Sequence, residues 1–281
     1  LAPLHNPAAV LGINACKKLL PQTPMVAVFD TSFHQTMEEK MYIYQLPYKY
    51  YEDYKIRKYG FHGISHRYVA GRIAEIAGTD KIKVINCHLG QGASLCAIEN
   101  GKSVDTTMGL TPLAGLPMGT RCGDVDPSII PLVMKFYDIK PDDMLYIMNK
   151  ESGAWGVSGV SSDFRDIEKA AAEGDERSIL ALDSRAYIIA QYIAKLMVTL
   201  SGVDYITFCG GIGENGFEER ERICKYLEFM GIKLDKELNK IRGEEACIST
   251  EDWKVKIYII PTNEEIMIAR DCYSLVKKGD N

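Results

Sequence analysis

The sequence predicts an α/β fold whose functional loops gather at strand ends. Residues 83–107 read as a three-strand meander, residues 175–200 as the longest helix, and two strand-then-helix pairs follow before the chain ends. With 281 residues, 46% of them hydrophobic, the chain can bury a core for one large or two modest domains.

The elements follow in order. LAPLHNP is a proline-punctuated turn ahead of a helical pattern, and because the first residue is Leu1 the chain is expected to start inside a larger unit. Residues 25–29 (MVAVF), apolar and partly β-branched, are expected to be a buried strand delivering Asp30 at its end. The tyrosine-rich stretch 41–59 fits strand or loop, and Pro47 excludes one long element. Residues 64–77 carry helical spacing and stop at Gly78, placed as a C′ glycine. Strands are expected at 83–89, 93–99 and 102–107, joined by Gly90-Gln91-Gly92 and by Asn100-Gly101, a strong hairpin signal. Helices at 126–138 and 141–149 lead to a Gly/Ser-rich loop, 153–162. In 175–200, Ile179, Leu182, Ala186, Ile189, Ile193 and Met197 keep one face apolar. A strand at 204–209, a glycine loop, a helix from Phe217, a strand at 255–260 and a last helix ending near Gly279 complete the chain.

Bulk properties exclude several functions. A formal net charge of -5 argues against nucleic acid as the main partner. There is no run of 18 apolar residues and no signal-peptide order at the amino end, so no membrane role is indicated. The eight cysteines form no C-x-x-C pair, which fits reduced thiols in a cytoplasm.

FCGGIGENG satisfies G-x-G-x-x-G, and a strand precedes it and a helix follows. The Rossmann reading fails, because the next segment, GIKLDKELNK, is polar and helix-like instead of an apolar strand ending in an acid. The glycines are therefore expected to hold a nucleotide in another fold. All five histidines lie within the first 88 residues. His62 and His66 in FHGISH could be two metal ligands on one helical face, although Gly63 argues for a turn with Ser65 as N-cap. Alternatively, His62 is a donor facing developing negative charge and His66 supports its loop. The glycines of HLGQGAS expose backbone amides to phosphate oxygens. Arg121, between Gly119 and Gly123 in MGTRCGDVDP, can bind phosphate or carboxylate, or be a solvated surface residue. Glu264 and Glu265 in PTNEE follow a strand, as helix-start acids or as a magnesium ligand.

LAPLHNP, VFDTSFHQTM, KYGFHGISH, HLGQGAS, GKSVDTTMGLTPL, MGTRCGDVDP, FCGGIGENG and PTNEE, in this order, resemble the acetate/propionate/butyrate kinase family over essentially the whole chain. The resemblance implies the actin/Hsp70/sugar-kinase superfamily fold, two ribonuclease-H-like lobes with ATP between them, one lobe complete here and the other partial. It implies residues 1–31 as an amino-terminal remnant, 32–263 as the nucleotide-binding lobe, and 264–281 as a helix returning to the amino-terminal lobe. The implied activity is reversible Mg²⁺-dependent transfer of the ATP γ-phosphoryl group to acetate, giving acetyl phosphate and ADP, with Mn²⁺ as a substitute metal. The alternatives are a propionate or butyrate kinase, or a non-catalytic ATP-binding module. The resemblance implies a cytoplasmic homodimer.

At matching positions, Asp30 resembles the active-site aspartate, His62 and Arg121 the transition-state stabilisers, and His5 and His88 the accessory histidines. His88, Leu89, Gly90, Gln91 and Gly92 are implied around the phosphates, and Asp163, Phe164 and Arg165 as a second nucleotide segment. Gly211, Ile212, Gly213, Glu214 and Asn215 match the adenosine loop, and Glu264 the magnesium ligand. Gln91 departs from the family's usual Asn. The family's earlier strands supply a magnesium-site Asn, a nucleotide Lys and a phosphate-binding Arg, so this stretch alone is expected to be inactive.

Overall fold

Alternation along residues 83–89 organises the centre of the fold. In β1 (Lys83–Leu89), Ile85, Cys87 and Leu89 enter one core while Val84 enters the other, on the face shared with Asn86 and His88. The computed structural model describes residues 6–279. Among them is a six-stranded sheet ordered β3-β2-β1-β4-β6-β5. Besides β1 it contains β2 (Ala93–Glu99), β3 (Lys102–Thr106), β4 (Tyr205–Cys209), β5 (Ala246–Cys247) and β6 (Lys256–Ile259). β1, β2 and β3 pair antiparallel, β1, β4 and β6 run parallel, and β5 pairs antiparallel with β6. Asn100 (φ 52) and Gly101 (φ 74) both take the left-handed conformation that the β2–β3 turn needs, as their sequence predicts.

Each face is closed by one helix. Glu176–Leu200 buries Ala186, Ile189, Ile193 and Leu196 with Ile85, Leu95 and Phe208. Gly63–Ala77 buries Val69, Ala70 and Ile73 with Val84, Cys96, Ile98 and Ile260. Full burial of a Val or Ile is worth about 1.5–3 kcal/mol relative to exposure, so packing fixes these helices more than intrinsic propensity does. Glu264–Gly279 packs on the outside of Gly63–Ala77, where Arg67 and Asp271 form an ion pair.

Several expected elements differ. Residues 25–29 are not a strand: they pair with none of the six, and Phe29 is 68% exposed. Gly153–Ser158, expected as loop, is a short helix with Ala154 and Ser158 buried. The glycine loop is likewise one helical segment, Gly210–Asn215. The polar stretch 231–240 is not a regular helix beyond the short 3-10 turn Leu238–Lys240. The tyrosine-rich stretch resolves into two short helices, Glu39–Tyr42 and Lys49–Tyr54, on either side of Pro47.

Candidate active site

The face of the sheet under Gly63–Ala77 carries polar side chains at the carboxyl ends of β1 and β4, where open α/β sheets place ligands. The helix begins one residue after His62, which holds φ 56, an uncommon conformation for a residue with a side chain. Asp30 stabilises it. Its Oδ2 accepts from the His62 amide at 2.6 Å, its Oδ1 from the Ile64 amide at 3.3 Å, and its carbonyl from the Gly63 amide at 2.9 Å. Glycine is required at position 63, since a Cβ there would lie 2.1 Å from the Asp30 carbonyl oxygen. Ser65 is therefore not the N-cap; its hydroxyl instead meets His88 Nδ1 and Thr262 Oγ1, each at 2.8 Å.

Both imidazole nitrogens of His66 are engaged, Nε2 with Ser94 Oγ and Nδ1 with Asn86 Nδ2, each at 2.8 Å. The metal-pair reading of His62 and His66 is thereby replaced by the supporting one, and no group of three or more His, Cys, Asp or Glu that could hold a metal occurs among the described residues. His62 meets Ser94 through Nδ1 at 2.9 Å and stacks on His88 with centroids 4.2 Å apart.

Arg121 approaches His62 across the β1–β2 turn. A Cβ on Gly92 would lie 3.3 Å from His62 Nε2 and 3.4 Å from Arg121 Nη1, so both groups converge on one point beside the exposed turn. Backbone bonds from Ser152, Ala154 and Trp155 to the carbonyls of Thr120, Met118 and Gly119 hold the Arg121 loop. Arg121 donates to the Pro112 carbonyl and the Met118 sulfur, both neutral, and burial lowers its pKa. A half-buried cation with neutral acceptors is disposed to bind an anion.

Glu264 starts the last helix, Glu264–Gly279, within the electrostatic reach of Asp30. Its pKa is raised by burial first, then by Asp30 and Glu265. Two hard-oxygen groups whose charged forms oppose each other suit a divalent cation such as Mg²⁺, which is held by one or two carboxylates together with waters and phosphate oxygens.

The glycine segment lies against the same turn: a Cβ on Gly210 would stand 2.8 Å from the Leu89 carbonyl oxygen. Gly211, Ile212, Gly213 and Asn215 share this segment, and Asn215 donates back to the Gly211 carbonyl at 2.9 Å. Glu214 Oε1 is engaged within the protein, accepting from the Gly210 amide at 2.8 Å and the Thr262 amide at 3.1 Å. Buried Arg220, which sequence reasoning missed, donates to the Gly213 carbonyl and to Asn239 and Ile241. Gln91 Oε1 stands beside Gly119, as does the Ser162 carbonyl, which brings Asp163 near the Arg121 loop. Asp163 and Arg165 form an exposed ion pair, whereas Phe164 is buried with Arg185 over its ring, 4.5 Å from the centroid, so its ring is spent on packing. Leu89 is buried and offers only backbone. His5 lies outside the described residues.

Burial is the largest cause depressing three histidines from 6.5: His34 to about 4, His88 to about 3, and His66 well below its usual value. In the unfolded chain they would titrate near 6.5, while in the fold they stay neutral until much lower pH. Stability is therefore complete above that value and falls as pH drops toward the folded values. The expected slope is about 1.4 kcal/mol per pH unit per histidine. Denaturant midpoints between about pH 7.5 and 5 check this. An unchanged midpoint over that range would contradict three buried neutral histidines.

Strand-end amides, a cation poised for an anion and a carboxylate pair define a centre for phosphoryl transfer, the class of the nucleotide-dependent kinases. Comparison narrows the class. The Acetokinase family profile matches residues 1–270. An acetate kinase of Treponema denticola is 58% identical over 279 residues, covering 99% of this chain and 70% of that protein. The crystal structure of Porphyromonas gingivalis acetate kinase superposes with TM-score 0.94 at 47% identity, over 98% of this chain and 70% of that one. A propionate kinase from Francisella tularensis gives TM-score 0.91 at 42% identity, over 95% of this chain and 69% of that one. The chain belongs to the acetokinase family, and its fold is that of the actin/Hsp70/sugar-kinase superfamily.

Proposed function

We propose that the protein catalyses reversible transfer of the ATP γ-phosphoryl group to acetate, yielding acetyl phosphate and ADP. The observation that carries this reading is the convergence of His62 and Arg121 on one point beside Gly92. Acetate has a pKa near ~4–5 and is ionised at neutral pH, so no base has to activate it. The barrier is electrostatic: two anions approach while charge builds on the equatorial phosphoryl oxygens. Arg121 supplies a preorganised positive charge and His62 a hydrogen-bond donor. Asp30 holds the His62 loop in place and, with Glu264, would hold Mg²⁺, which when bound neutralises phosphate charge. ATP lies along Gly90 to Gly92 and the 210–215 segment, with Asp163 and Arg165 at its edge. Phe61 and Pro112 provide the apolar wall for the methyl group.

We also assign the enzyme to the cytoplasm as a homodimer. All eight cysteines are free thiols, and no described helix is long and apolar enough to cross a membrane. The Ile129–Tyr137 helix buries none of its residues and exposes Ile129, Leu132, Phe136 and Tyr137, an uncovered apolar face suited to a second subunit.

Turnover of acetate, propionate and butyrate with ATP by the complete enzyme, carrying the strands that the resemblance places ahead of this stretch, tests the function. The highest kcat/KM is expected with acetate, and a higher value with propionate or butyrate would overturn that substrate. One methylene is worth only about 1–3 kcal/mol, so the expected margin is modest. Glu264→Ala is expected to raise the Mg²⁺ concentration needed for half-maximal rate, with partial rescue at high metal. A magnesium titration with an unchanged midpoint would return Glu264 to the role of a helix-start acid.

A further inference from the structure

We propose that Thr207, Asn86, His66 and Ser94 form a buried chain of positioning residues that fixes His62 as the tautomer carrying its proton on Nε2, the nitrogen facing Gly92 and Arg121. The inference rests on the reading of His62 as a hydrogen-bond donor in the reaction. Donor and acceptor capacities carry it. Thr207 Oγ1 donates to Asn86 Oδ1 at 2.7 Å, which turns the amide nitrogen of Asn86 toward His66. An amide nitrogen only donates, so His66 Nδ1, at 2.8 Å, must accept. His66 then carries its proton on Nε2 and donates it to Ser94 Oγ at 2.8 Å. The single Ser94 proton is directed to the remaining ring nitrogen in reach, His62 Nδ1 at 2.9 Å. A His62 ring that accepts at Nδ1 holds its proton at Nε2.

Two further features make the chain directional. Thr207, Asn86, His66 and Ser94 are all fully buried, so water does not compete for any of these bonds. His66 stays neutral because burial penalises its charged form. The His62 ring is also held in plane by His88, stacked at 20°, whose own Nδ1 is tied to Ser65. Hydrogen bonds to the far nitrogen commonly set the tautomer of a functional imidazole. Here that bond is relayed from β4 through β1, the Gly63–Ala77 helix and β2 to His62 at the start of that helix.

The test is histidine-selective ¹⁵N NMR on the complete enzyme, with the five histidines of this sequence assigned by substitution. His62 is expected as the Nε2–H tautomer, and an Nδ1–H His62 in the unmodified protein would overturn the chain whatever the variants do. Asn86→Asp keeps the volume but presents an acceptor to His66 Nδ1, so it should reverse both His66 and His62. Ser94→Ala should leave His62 a mixture of tautomers, and Ser94→Thr should restore Nε2–H. In Asn86→Asp and Ser94→Ala, kcat should fall by about ten- to a hundredfold with the KM for ATP nearly unchanged. His34 packs edge-on against His66, its ring centroid 5.7 Å away, so an intact fold is read instead from an unchanged circular dichroism spectrum of the variants. An unchanged His62 tautomer in both variants would overturn the inference. A changed tautomer with undiminished kcat would uphold the chain and overturn the donor role of His62 instead.

Discussion

Arg121→Ala is expected to lower kcat by at least about a hundredfold, the scale for losing a preorganised donor to developing charge. The guanidinium is half-buried, its hydrogen-bond acceptors are neutral, and its loop is held by backbone bonds that the substitution leaves in place. Most of the loss should therefore appear in the chemical step, with little in thermal stability. Arg121→Lys should recover only part of the rate, because an ammonium is a more strongly hydrated point charge and lacks the planar fork. Steady-state kinetics beside a thermal melt separate the effects. Near-normal kcat in Arg121→Ala would remove this residue from the catalytic set.

Asp30→Ala should be of similar size for a different reason. The Asp30 carboxylate satisfies the amides of His62 and Ile64 at the start of a helix and sustains the left-handed conformation of His62. Removing it orphans both donors, at about 1–3 kcal/mol each where buried, and frees the imidazole to move. A displacement of about 1 Å at a reacting centre can cost a hundredfold. Asp30→Asn retains one side-chain oxygen for the His62 amide and should lose clearly less than Asp30→Ala. Equal losses in the two variants would show that the negative charge, and not the bonds to the loop, is what Asp30 supplies.

The difference between what the sequence reveals and what it hides is instructive at particular residues. β1 and β2 were legible to the residue, because their apolar runs are bounded by the Gly90-Gln91-Gly92 turn and by Asn100-Gly101. Residues 25–29 have the composition of a strand, but composition does not supply a pairing partner. Gly153–Ser158 reads as loop by its glycines and serines, and becomes helical because Ala154 and Ser158 are buried and Gly153 fits beneath the Arg121 loop. In the site, His62, Arg121 and the glycine motifs announce themselves through residue type. Asn86, Ser94 and Arg220 do not. Asn86 and Ser94 sit inside apolar strands, and Arg220 lies in the charged run EERER, which resembles a solvated face. Their importance comes from pairings between positions 20 or more residues apart in some cases, such as Asn86 with His66 and Ser94 with His62.

In the proposed reaction His62 and Arg121 act on the same developing charge across Gly92. A double-mutant cycle on kcat with His62→Ala, Arg121→Ala and the pair tests it most directly, because groups that act as a unit show strongly non-additive losses. The expected result is a smaller loss for His62→Ala than for Arg121→Ala, and a double variant whose loss falls short of the product of the two single losses by more than about fivefold. Losses that multiply to within about twofold would contradict the claim, showing two groups that contribute independently.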